Sequence, residues 1–117
     1  MNRLDEKFVK NWLNKFKEYW FNKDIDKAVA LFSNTEFYQE TPFMKQYNNI
    51  DEINKEWQHI KKENIHNIEL KILAIDGYNV IVEWYLEQNE NVYDGIYEIK
   101  FNESLECIYF KSWEMTK

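Results

Sequence analysis

Residues 79–87 read NVIVEWYLE, and this stretch is the strongest indication of the fold in the sequence. Its apolar and polar side chains alternate, which is typical of a strand with one face buried. One face carries Val80, Val82, Trp84 and Leu86, and the other carries Ile81, Glu83, Tyr85 and Glu87. A strand of this kind requires neighbouring strands on either side and a layer that covers its apolar face.

Neighbouring strands are predicted on both sides of this stretch. Ile68, Leu70, Ile72 and Ala74 alternate before it, and Asp76-Gly77 is a strong hairpin turn. Two more strands are predicted at residues 92–102 and 105–114, joined at Asn102-Glu103-Ser104. Four strands in series with short turns predict an antiparallel meander.

The amino-terminal half has the spacing of helices. The pattern predicts a first helix over residues 3–22, a second short helix capped by Asp24, and a third from the Asn49 cap to about residue 63. A short strand over residues 35–40 lies between the last two and is closed by Pro42. Helices followed by strands predict an α+β fold, with three helices packed on a mainly antiparallel sheet.

Composition narrows the class of protein. With 117 residues the chain is expected to form a single domain, 1–117, and it has no apolar run long enough to cross a membrane. The opening MNRLDEKFVK is too charged for a secretory signal. A net charge of -6 argues against nucleic acid and anionic membranes as partners.

Cysteine and histidine usage predicts neither a disulfide nor a metal. The single Cys107 cannot pair within the chain or build a thiolate site, which suits a cytoplasmic location. His59 and His66 have no ligand cluster beside them in the sequence, and solvated or capping roles are expected for both. The sequence therefore predicts no metal and no cofactor.

Aromatic residues make up 18% of the chain, enough for a dense core, a ring-lined pocket or a subunit interface. Several strands are also partly apolar on both faces, so both faces need a cover. Three helices can cover one face. We therefore expect a homodimer through the outer sheet face.

The order of these elements resembles the nuclear transport factor 2-like superfamily, and within it the small polyketide cyclase-like (SnoaL-like) bacterial proteins. The residues that carry the resemblance are 23–32, 38–43, 53–57, Val82-Glu83-Trp84, 93–96 and 107–113. The resemblance implies a strongly curved sheet wrapped around the helices as a cone, with an internal ligand cavity. It also implies a homodimer through the outer face of the sheet.

The resemblance leaves the activity open, since the superfamily includes isomerases, cyclases, dehydratases, epoxide hydrolases and non-catalytic binders. Isomerase-like members place an acidic base beside the strand-end proline. Here Thr41 precedes Pro42, and the acid, Glu40, is one position further back. Dehydratase-like members use a histidine with an aspartate, and His59 and His66 do not match the expected strand positions.

Three acids are the candidate catalytic residues: Glu83, Asp94 and Glu40. A carboxyl group in an aromatic pocket has a raised pKa and can shuttle a proton near neutral pH. Glu83 and Asp94 fall on neighbouring strands and could form a pair. Strand alternation places both on mixed faces, which favours a solvated or subunit-facing position, unless a bulge near Gly95 reverses the facing of Asp94.

Five aromatic residues are predicted to line the cavity and bind a hydrophobic small molecule, or else to fill the core: Tyr38, Trp57, Trp84, Tyr97 and Trp113. Two hypotheses follow. The first is a small-molecule-binding protein, either a simple binder or an acid/base enzyme of the isomerase, cyclase or hydratase type. The second is a non-catalytic dimeric scaffold or interaction module.

Overall fold

The computed structural model describes residues 4–41 and 44–116, the side chain of Thr116 excepted. Its helices are α1 (Glu6–Phe21), α2 (Ile25–Ala30) and α3 (Ile50–Trp57), and α3 continues as a 3₁₀ helix over Gln58–Lys62. Its strands are β1 (Phe37–Gln39), β2 (Ile65–Asp76), β3 (Asn79–Gln88), β4 (Asn91–Phe101) and β5 (Cys107–Thr116). No helix in these ranges is long and apolar enough to cross a bilayer.

The helix starts are set by side-chain caps. Asp5 accepts a hydrogen bond from the Lys7 amide, and Asp24 accepts one from the Lys27 amide. Asn49 caps α3 by accepting from the Glu52 amide, and Glu52 returns the bond by accepting from the Asn49 side chain. The predicted Asp24 and Asn49 caps are confirmed. The predicted strand end at Pro42 lies outside the described residues.

One five-stranded sheet has the order β1-β5-β4-β3-β2. β1 runs parallel to β5, and all the other pairs are antiparallel, so the predicted meander of four long strands is confirmed. Three helices pack on this curled, mixed sheet, and the predicted α+β fold class is confirmed.

The core lies between the helices and the concave face of the sheet. Phe16 on α1 is its centre, with ring centroids of Phe32, Trp57 and Phe110 at 5.9, 5.8 and 5.6 Å. The four side chains on the predicted apolar face of residues 79–87 are all buried: Val80, Val82, Trp84 and Leu86. Aromatic rings therefore form much of the layer in which the cavity opens.

Gly95 on β4 lets its backbone lie close to β5 and to the Trp84 ring. A Cβ atom at this position would lie 1.8 Å from the Trp113 carbonyl oxygen and 2.9 Å from Cε2 of Trp84. The Trp84 ring therefore takes the space above the Gly95 backbone. The pairing of β3 with β4 runs without a register shift past Gly95, so Asp94 keeps the outward facing that simple alternation gives it.

Candidate functional site

A cavity of about 230 Å³ opens between α1, α3 and the concave face of the sheet. Its walls are mostly aromatic, from Phe16, Trp20, Tyr38, Trp57, Trp84, Tyr93, Tyr97 and Phe110. Its polar lining comes from Glu40, His59, Gln88, Ser112 and Glu114. Rings combined with several polar groups are typical of the lining of a small-molecule site.

Glu40 is the carboxyl group held most firmly in this cavity. Tyr38, two residues earlier on the same face, donates a hydrogen bond of 2.7 Å from its hydroxyl to Glu40 Oε2. Burial raises the pKa of Glu40 to about 7, although the Tyr38 hydrogen bond acts in the opposite direction. Protein atoms lie on all sides of the Glu40 carboxyl group. The residue as a whole is only half-buried, because solvent reaches part of it through the cavity.

Two other acids add negative charge around Glu40. The charges of Glu56 and Glu114 both raise the pKa of Glu40, and the neighbouring His59 lowers it. Burial also raises the pKa of Glu114. Glu40 is therefore able to hold or release a proton near neutral pH.

The tyrosine hydroxyls in the cavity remain protonated donors. Burial raises the pKa of Tyr38 well above its usual value, and the adjacent Glu40 charge raises it further. Burial, followed by the charges of Glu40 and Glu114, raises the pKa of Tyr97 in the same direction.

Trp57 contributes a buried donor beside the Tyr38 hydroxyl. Its indole N–H lowers the pKa of Tyr38. Nevertheless, Nε1 of Trp57 has no hydrogen-bond partner of normal geometry among the described residues. A buried donor without a partner calls for an explanation, and a small movement of the Tyr38 hydroxyl would provide one.

Glu40, Glu56 and His59 could together approach a divalent cation, since one ligand atom from each lies within 4.8 Å of the others. Each also has a protein partner. Tyr38 donates to Glu40, Tyr47 donates to Glu56 Oε1 at 2.6 Å, and His59 Nδ1 contacts the Glu56 carbonyl oxygen. This network accounts for their proximity without a metal ion. Sequence reasoning missed it, although Glu56 and His59 are three residues apart on one helical segment.

The other two predicted catalytic acids lie elsewhere. Glu83 and Asp94 are exposed on the outer face of the sheet, where they border a second depression with Glu69, Lys71 and Tyr85. The structure therefore separates them from Glu40 by the thickness of the sheet. The alternation noted for residues 79–87 indicated this position.

Four of the five predicted ligand-binding aromatics line the cavity: Tyr38, Trp57, Trp84 and Tyr97. Trp113 does not, because it lies on the outer face and is 39% exposed. The physical reason is a bulge in β5. Lys100 pairs with Tyr109, but the next residue, Phe101, pairs with Cys107, so β5 has one extra residue at this point. One extra residue in a strand reverses the facing of every side chain beyond it.

Ser112 is the buried polar residue that takes the inward position on β5. It accepts a hydrogen bond of 3.0 Å from the Trp84 indole Nε1, and it pairs in register with Tyr97. Trp84 stacks on the Tyr97 ring at 5.5 Å. These contacts fix three cavity-lining side chains relative to one another.

Comparisons with known proteins bear on the fold. No family model and no curated protein matches the sequence. Among solved structures, SalBIII, an epoxide hydrolase/cyclase-like enzyme of pyran ring formation in salinomycin, is 13% identical with a TM-score of 0.79 over 95% of this chain and 93% of that chain. A steroid delta-isomerase from Pseudomonas aeruginosa is 16% identical, with a TM-score of 0.70 over 96% and 82% of the two chains.

A third similar structure is an NTF-2 like protein of unknown function from Burkholderia xenovorans LB400. It is 12% identical, with a TM-score of 0.74 over 96% of this chain and 84% of that chain. At such identities the likeness is one of fold, and the chain has the nuclear transport factor 2-like fold. The predicted resemblance to that superfamily is confirmed at this level.

Proposed function

We propose that the protein binds a small, largely apolar molecule in its aromatic cavity and that Glu40 is the acid/base group acting on it. The observation that carries this proposal is the Glu40 carboxyl group, held by Tyr38 inside a ring-lined cavity with a pKa of about 7. A base with this pKa is partly ionised at neutral pH, as proton abstraction next to a carbonyl group requires.

Proteins of similar structure support this proposal by analogy. The epoxide hydrolase/cyclase-like SalBIII and the steroid delta-isomerase are enzymes with the same fold. Another neighbour is a computationally designed binder of 17-OHP, with 7% identity and a TM-score of 0.74 over 94% of this chain and 96% of that chain. The fold can therefore hold a small molecule with or without catalysis.

Proton transfer can be tested without knowing the natural substrate. Acetophenone in D₂O exchanges the hydrogens of its methyl group when a base removes one of them, and NMR follows the exchange. We expect the wild-type protein to accelerate the exchange and Glu40→Gln to abolish the acceleration, since glutamine keeps the oxygen that accepts from Tyr38 but not the base.

The matched variant is Glu83→Gln, on the exposed outer face of the sheet. It should exchange acetophenone at the wild-type rate. Equal exchange rates for wild type and Glu40→Gln would show that Glu40 is not the base. A loss of exchange confined to Glu83→Gln would show that the base lies on the outer face of the sheet.

A second candidate function is a dimeric scaffold, and the exposed rings of the outer face favour it. Trp113 and Met115 are 39% and 69% exposed on the same face, and Trp113 lies next to the half-buried Ile96. Large exposed apolar side chains on one sheet face are typical of an interface. We infer that two copies meet through this face.

Light scattering after size-exclusion chromatography tests the dimer. A Trp113→Glu variant should elute as a monomer with an unchanged far-UV circular dichroism spectrum. A monomeric wild-type protein would contradict the dimer but leave the cavity proposal untouched.

A further inference from the structure

Tyr97 has the features of an unused donor in the cavity. It is 5% exposed and lies mid-strand on β4, with its ring 5.5 Å from Trp84 and 4.7 Å from Phe110. Its hydroxyl makes no hydrogen bond to any residue in ranges 4–41 and 44–116. Tyr97 also lines the cavity wall, where a ligand would contact its side chain.

The Tyr97 hydroxyl lies in the field of the candidate base. The charges of Glu40 and Glu114 both act on it. Glu40 uses Oε2 to accept from Tyr38, and within the described residues its Oε1 has no hydrogen bond. One free donor and one free acceptor therefore face the same apolar space.

The cavity volume sets how much of a ligand the walls can enclose. A cavity of about 150 Å³ is enough for benzene, which has six non-hydrogen atoms. By proportion, the 230 Å³ observed here accommodates about nine, the size of one ring with a short substituent. A molecule of several fused rings would have to extend out through the mouth.

We propose that the ligand is a single-ring compound with an acceptor oxygen, and that Tyr97 binds this oxygen by donating a hydrogen bond while Glu40 faces the adjacent carbon. This inference rests on the proposed function and narrows its ligand class. Tyr97 is then the residue that selects oxygen-bearing ligands, because a buried donor left unpaired by an apolar ligand costs free energy.

Two probes of the same size test the selection. Acetophenone and cumene each have one ring and a three-atom substituent, but acetophenone has a planar carbonyl group where cumene has a tetrahedral carbon with a second methyl group. Protein-detected NMR gives both dissociation constants, and the quantity of interest is the ratio of the cumene value to the acetophenone value.

We expect Tyr97→Phe to lower this ratio about tenfold, the effect of losing one hydrogen bond without leaving a void. The matched control is Tyr85→Phe, which removes a hydroxyl on the outer face that donates to Glu87 Oε2 at 3.0 Å. The control should keep the wild-type ratio.

An unchanged ratio in Tyr97→Phe would overturn the role of Tyr97. If neither probe binds the wild-type protein at its solubility limit, the proposed ligand class is wrong. A wider set of small compounds then separates the two proposals, since cavity binding by others would preserve the proposed function and no binding at all would overturn both.

Discussion

Glu40→Gln should change how stability depends on pH. The pKa of Glu40 is raised in the folded protein from 4.5 to about 7, so the folded state holds this proton more tightly than the unfolded state. Its contribution to stability is therefore fully present below pH 4.5 and is lost as the pH rises through about 7. At about 1.4 kcal/mol for each pH unit, the shift corresponds to roughly 3 kcal/mol, as an upper figure for a group in a cluster of charges.

Urea unfolding of the wild type and Glu40→Gln, measured from pH 5 to 8, checks this prediction. The free energy of unfolding of the wild type should fall relative to that of the variant, by up to about 3 kcal/mol across this range. Subtracting the variant removes the contribution of acids that do not interact with Glu40. A difference that stays constant with pH would refute the argument that the cavity holds Glu40 in its protonated form.

Two further substitutions test the packing around the cavity. Gly95→Ala should destabilise the fold by ~2 kcal/mol or more, because the new Cβ would collide with the Trp113 carbonyl oxygen at 1.8 Å. Thermal unfolding measures this loss, and a near-neutral result would mean that the strands separate easily. Ser112→Ala should cost about 1–3 kcal/mol, since it removes the acceptor of the buried Trp84 N–H; an unchanged unfolding midpoint would show that this hydrogen bond adds no stability.

Alternation and capping made the fold predictable. The stretch over residues 79–87 correctly indicated which side chains face the core, and Asp24 and Asn49 correctly indicated where two helices begin. The third helix was expected to run to about residue 63. Its helical character does extend to Lys62, but the last turn is 3₁₀.

The site was harder to predict because it depends on contacts between distant segments. The side chain of Glu40 lies close to those of Glu56 and His59 only in the folded protein, and no local sequence pattern predicts this proximity. Trp113 was expected among the cavity aromatics, and the bulge at the start of β5, which turns it to the outer face, could not be predicted from the sequence. The outward position of Glu83, by contrast, could be read from its own strand.

A fragment screen followed by protein-detected NMR tests whether the aromatic cavity binds a ligand. We expect single-ring, oxygen-bearing compounds to shift the amide signals of Tyr38, Tyr97 and Ser112, which lie on the cavity face of three strands. Shifts confined to the outer face around Glu83 and Asp94, or no shifts with any compound, would contradict this expectation.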